Sequence, residues 1–132
     1  MNKRKIFVFT VCFVGAVLIA VLTFGENGDD FLELVRSMGY NPENELYEAV
    51  EFTIPETFNA VYIRYNNLQK QGGFDLEKYK GKKCIRYTYL IPDKNARANI
   101  IVYNGKVIGG DISGITLDGI MIPLQDKGRG NE

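Results

Sequence analysis

Asn104-Gly105 lies between two runs rich in β-branched and aromatic residues, 96–103 and 106–113. An Asn-Gly pair in that setting is the sequence of a two-residue type I′ hairpin. Both residues accept positive φ, and the turn's twist matches that of the strands it joins. The turn predicts a register in which Tyr103 pairs with Lys106, Val102 with Val107, Ile100 with Gly109 and Ala98 with Asp111. A loop at Pro92-Asp93-Lys94-Asn95 closes the preceding hairpin. Ile91 then pairs with Ala96, Tyr89 with Ala98, Tyr87 with Ile100 and Ile85 with Val102. Alternation sorts the side chains. One expected face carries Ile85, Tyr87, Tyr89, Ile91, Ala96, Ala98, Ile100, Val102, Val107 and Gly109. The other carries Arg86, Thr88, Arg97, Asn99, Tyr103 and Lys106 among some aliphatics. Rings opposite Ala and Gly make a surface that a helix covers closely.

Two helices are predicted. Residues 30–38 begin with Asp30 and Glu33 in a capping-box spacing and stop at Gly39, with Phe31, Leu34, Val35 and Met38 on one side. The second begins near Pro55 and ends at Gly72-Gly73. Its stripe is Phe58, Val61, Tyr62, Tyr65 and Leu68, the obvious cover for the apolar sheet face. Between the helices, residues 46–54 read as a strand with Leu46, Val50, Phe52 and Ile54 on one side. Residues 115–124 read as a further short strand broken at Asp118-Gly119. The expected class is α+β: a mostly antiparallel sheet of three to five strands, packed on one face by two helices.

The front of the chain is of another kind. Lys3, Arg4 and Lys5 precede an uncharged run, residues 6–24, and Glu26, Asp29 and Asp30 follow it. The run's 19 residues span about 28 Å as a helix, close to the roughly 30 Å hydrocarbon core of a bilayer. The cations in front predict a cytoplasmic N-terminus and a remainder outside the cell membrane. A cleaved signal peptide is the competing reading, but its apolar region is usually about 7–15 residues, and Thr23-Phe24-Gly25 is a poor cleavage site. The expected organisation is a basic cytoplasmic tail at 1–5, a single-pass transmembrane helix at 6–24, an extracytoplasmic domain at 25–124 and a flexible, Gly-rich charged tail at 125–132. Residues 26–56 hold nine acids and one base, and residues 57–132 hold seven acids and twelve bases. The acidic stretch is therefore expected to fold near the basic remainder.

Composition removes several chemistries. The chain has no histidine, so His-based triads and imidazole zinc sites are excluded, and two cysteines are too few for an all-thiolate zinc site. No metal or cofactor is expected. Zero formal net charge gives no footprint for nucleic acid. Asp111 is the most interesting carboxylate. The register sets it on the apolar face beside Ala98, where the Tyr89 hydroxyl has room to approach it, and a buried acid needs such a partner. The same register sends Arg97 and Asp111 to opposite faces. Arg86, Thr88, Arg97 and Asn99 cluster on the other face, as an anion or peptide-carboxylate site or as a solvated outer surface. Gly109-Gly110 either lets a backbone approach or forms a bulge. Cys84 has basic neighbours that favour reactivity, and it is also the kind of small residue that a strand buries.

Several segments in order resemble one bacterial family. They are 54–58; 65–76, with Asn66-Asn67-Leu68-Gln69 and Gly72-Gly73-Phe74-Asp75-Leu76; Tyr79-Lys80-Gly81-Lys82; Arg86-Tyr87-Thr88-Tyr89; and 97–111. The family is known as domain of unknown function 4830, and the resemblance covers about residues 29–121. It implies a membrane-associated domain behind an N-terminal apolar segment, and it carries over no catalytic or binding residue. The expected function is a non-enzymatic, membrane-tethered interaction or sensing module for a protein, peptide or envelope component. Arg86, Arg97, Asn99, Asp111 and Tyr89 are the candidate ligand contacts. The alternatives are a small carboxylate-dependent hydrolase centred on Asp111, and an inhibitor or regulator that adds a strand to its partner.

Overall fold

The computed structural model of the chain describes residues 7–13, 16–22, 25–115 and 120–124. β1 (Phe7–Phe13) and β2 (Ala16–Leu22) form an antiparallel pair apart from the main sheet. They occupy most of the run 6–24, whose β-branched and aromatic residues suit strands. Residues 6, 14–15 and 23–24 of that run lie outside the described residues, as do the tails at 1–5 and 125–132. No helix among the described residues is long and apolar enough to cross a membrane.

α1 (Gly25–Ser37) leads into a five-stranded antiparallel sheet of β3 (Glu48–Thr53), β4 (Lys83–Ile91), β5 (Ala96–Tyr103), β6 (Lys106–Gly114) and β7 (Met121–Pro123), neighbouring in chain order. α2 (Ala60–Gln71) lies between β3 and β4. The class is α+β, as expected. Asn104 (φ 52°) and Gly105 (φ 76°) make the anticipated turn. Asn95, left-handed at φ 52°, closes a short 3-10 turn over Pro92–Lys94. The β4–β5 register is the expected one throughout.

The β5–β6 register departs from expectation after two pairs. Tyr103–Lys106 and Val102–Val107 hold, then the ladder shifts: Ile101 pairs with Gly109, Ile100 with Gly110, Asn99 with Asp111 and Ala98 with Ile112. Ile108 is the extra residue of a β-bulge. A bulge puts two successive residues on one side and reverses everything beyond it. Glycines are required where the strand meets its neighbours. A Cβ on Gly109 would lie 2.8 Å from Gln69 Oε1, and one on Gly110 (φ 153°) would lie 2.2 Å from the Asn99 carbonyl oxygen.

The helices take opposite faces, which corrects the single-face expectation. α1 packs Phe31, Leu32, Val35 and Met38 on Tyr87, Tyr89, Ile91, Ala98, Ile100 and Ile112, with the Phe31 and Tyr87 rings 5.0 Å apart. Each fully buried large apolar side chain here contributes about 1.5–3 kcal/mol. On the other face Phe58, Tyr62 and Tyr65 lie over Ile54, Cys84, Ile101, Ile108 and Leu76. Two apolar faces need two covers, and the aliphatics scattered among Arg86, Thr88 and Asn99 are the floor of the second core.

Both helices differ in detail from their predicted forms. α1 reaches back to Gly25, so Asp30 sits inside it rather than at its N-cap. α2 begins after Asn59, whose side chain accepts from the Tyr62 N–H, so Pro55 precedes the helix. Val61 is exposed, and the residues fully buried in α2 are Asn66 and Gln69. Each serves backbone: Asn66 Oδ1 accepts from the Leu76 N–H at 2.7 Å, and Gln69 Oε1 accepts from the Gly110 N–H at 2.7 Å. A buried peptide group that lacks a ladder partner recruits a polar side chain, and the bulge creates such a group.

Candidate functional site

The shifted register builds a row of polar residues straight across four strands: Glu48 on β3, Thr88 on β4, Asn99 on β5 and Asp111 on β6. All four belong to the α2 face. Thr88 Oγ1 donates to Asn99 Oδ1 at 2.8 Å. The Asn99 amide then donates to Asp111 Oδ1 at 2.9 Å and to Ser113 Oγ at 3.2 Å. From α2, the Tyr65 hydroxyl donates to Asp111 Oδ2 at 2.6 Å. Thr88 and Asp111 are buried.

Asp111 is thus satisfied on both oxygens. Burial pushes its carboxyl above the usual range, and hydrogen bonds from Tyr65, Asn99 and Ser113, with the nearby Arg86 charge, pull the other way. The Tyr65 hydroxyl is held well above its ordinary value by burial and by the Asp111 charge. Tyr89 is not part of this constellation. It is buried in the α1 core, because the bulge moves Asp111 to the opposite face. That shift also sets Arg97 and Asp111 on one face rather than two. Arg86 and Arg97 share that face with Asn99 and Asp111 but stand on opposite sides of the row, four pairs apart along the β4–β5 ladder.

Arg86 stands two pairs to one side of the row, with Nη2 3.9 Å from Glu48 Oε1. Arg97 stands two pairs to the other side, opposite Ser113, with its guanidinium 5.6 Å from the centre of the Tyr47 ring. The Nε of each arginine is buried and has no hydrogen-bond partner among the described residues. Tyr65, Ser113, Glu48 and Tyr47 are the neighbours that sequence reasoning missed. Tyr65 was visible only as a stripe residue, and Glu48 only once β3 is known to pair with β4.

The family described as Domain of unknown function (DUF4830) matches residues 34–112. The chain belongs to that family. No curated protein and no solved structure matches it. The DUF4830 match runs from within α1 to Ile112 and takes in the polar row, both arginines, Tyr47 and Tyr65, leaving Ser113 and β7 beyond its end. Elsewhere in the DUF4830 domain, Cys84 is buried, and burial raises its thiol pKa, against a reactive role. Among the described residues no group of three Cys, Asp or Glu side chains is placed to hold a metal.

Proposed function

We propose that this DUF4830 protein is a membrane-tethered, extracytoplasmic recognition module whose docking surface is the sheet face around Arg86 and Arg97. The tether rests on residues 6–24. A lone pair of strands leaves its outer N–H and C=O groups unpaired, which hydrocarbon does not tolerate, so within a bilayer the same run is helical. The docking surface rests on Arg97. Its guanidinium is pre-oriented on the half-exposed Tyr47 ring, yet its Nε has no acceptor among the described residues. The Arg97 side chain as a whole is partly exposed, and its guanidinium presents a planar set of donors that fits a carboxylate or phosphate.

The hydrolase reading is less well supported. A catalytic carboxylate needs substrate access, and Asp111 is 3% exposed with both oxygens occupied. Strand addition is also weaker. The β3 edge carries Glu48 and Glu51, and the β7 edge is three residues long and contains Pro123, which are features that discourage pairing.

The test is a photo-crosslinking residue at position 47 in the full-length protein, expressed in its own cells. A discrete adduct that disappears in an Arg97→Gln background supports the reading. An adduct unchanged by that substitution, or none at all, overturns it.

A further inference from the structure

The two helices hold to the sheet by different means. α1 buries Phe31, Leu32, Val35 and Met38, so its attachment is apolar. α2 fully buries only Asn66 and Gln69, while Tyr62, Tyr65 and the preceding Phe58 stay partly exposed. Its grip on the rest of the molecule is polar. Tyr65 donates to Asp111, Gln69 accepts from the Gly110 N–H, and Asn66 joins the Leu76 N–H to the Asp75 carboxylate. A hydrogen bond contributes less, net, than a fully buried large apolar side chain, because its partners give up water to form it. Gln69 Nε2 is buried without a partner among the described residues, which is a further cost of the docked position. The helix is also poor at standing alone: Val61, Tyr62, Ile63, Tyr65, Asn66 and Asn67 are among the less favourable helix formers.

We infer that α2 is a latched cover, which lifts from the sheet as a unit while α1 and the sheet stay folded, and that the Tyr65–Asp111 hydrogen bond is its latch. An element with few fully buried apolar side chains opens at a lower free energy than the whole domain. Gly73, at φ 91°, follows the last turn of α2 and marks where the chain swings. Lifting uncovers Cys84, Ile101 and Ile108, a floor separated by the sheet from the core under α1. The latch ends on Asp111, so the cover and the polar row meet at one carboxylate.

Cys84 reports the motion. It is buried in the core beneath α2, and the Tyr62 hydroxyl is held above its ordinary value by burial and by the Cys84 charge beside it. In the full-length protein with Cys12→Ser, kept in detergent micelles, Cys84 is the only thiol. Its alkylation by N-ethylmaleimide is followed by intact mass at urea concentrations below the unfolding transition. Lifting gives a rate that climbs only shallowly with urea, because little surface is exposed. Tyr65→Phe should raise the rate at least about tenfold. Arg64→Gly, on the exposed side of α2, should raise it severalfold by weakening the helix. Phe31→Leu, on the far side of the sheet, should lower the urea midpoint and leave the rate within about twofold. A rate with the full urea slope of unfolding, no alkylation below the transition, or an equal rise with Phe31→Leu and Tyr65→Phe shows that Cys84 is reached only by global unfolding, and overturns the inference. A rate indifferent to both Tyr65→Phe and Arg64→Gly overturns it too, because the thiol is then reached past the β3 edge.

Discussion

Tyr65 and Asp111 come from elements 46 residues apart in the chain, and their hydrogen bond is the tightest polar link between α2 and the sheet. Tyr65→Phe removes a donor from a buried carboxylate. Hydrogen bonds to charged groups contribute about 1.5–3 kcal/mol, so a loss in that range is expected in urea unfolding. The pH dependence follows from the same acid. Burial raises the Asp111 carboxyl above its unfolded value, near about 4. Its contribution to stability is therefore fully present below that value and is lost as pH rises through the folded pKa. Asp75 runs the other way. Hydrogen bonds from Asn66 and the Glu77 N–H lower its pKa, so its contribution is present at neutral pH and is lost as pH falls. Asp111→Asn removes only the first effect. Between about pH 7 and pH 4 the unfolding free energy of the native protein should rise relative to that of the variant. A difference that stays flat with pH would show that Asp111 titrates as it does in the unfolded chain.

The helices are best separated by a coupling experiment. Phe31 and Tyr87 have rings 5.0 Å apart, whereas Tyr65 and Tyr87 belong to cores on opposite sides of the sheet. A double-mutant cycle with Phe31→Leu and Tyr87→Leu should return a coupling of about 0.5–1.5 kcal/mol. The cycle with Tyr65→Leu and Tyr87→Leu should return none beyond about 0.5 kcal/mol. The reverse pattern would put α2 on the Tyr87 face, where sequence alone places it. The turns were legible because Asn104-Gly105 and Asn95 carry their chemistry locally. The bulge was legible only as a contradiction, in that a straight ladder buries Asp111 among tyrosines and alanines. Shifting by one residue pairs Asn99 with Asp111 and Ala98 with Ile112, like with like. The helix faces were not legible from stripe counting. Asn66 and Gln69 look solvent-facing until the backbone groups they serve, at Leu76 and Gly110, are placed beneath them.

At the scale of the whole molecule, the fold separates tasks between the two sides of one sheet. The α1 side is apolar across the strands, while the α2 side is apolar at one end and ionic at the other. If residues 6–24 hold the chain in a bilayer, the protein should remain with the membrane pellet after alkaline carbonate washing. Protease added to intact spheroplasts should then digest the domain. Release into the wash, or protection without lysis, contradicts the tether.

The glycine pair on β6 has a consequence for how this molecule tolerates change. Ile108 acts as a phase slip, and every side chain from Gly109 to Gly114 owes its orientation to that one surplus position. A chain lengthened there by a single codon, with the bulge kept at one residue, would roll the rest of the strand over, driving a carboxylate against Ala98 and lifting Ile112 toward the arginines. A chain shortened by that one position would instead close into a regular ladder with the present partners and lose the Ile108 side chain from the core under α2. Outer loops absorb a residue in either direction, whereas this strand absorbs a loss and not a gain.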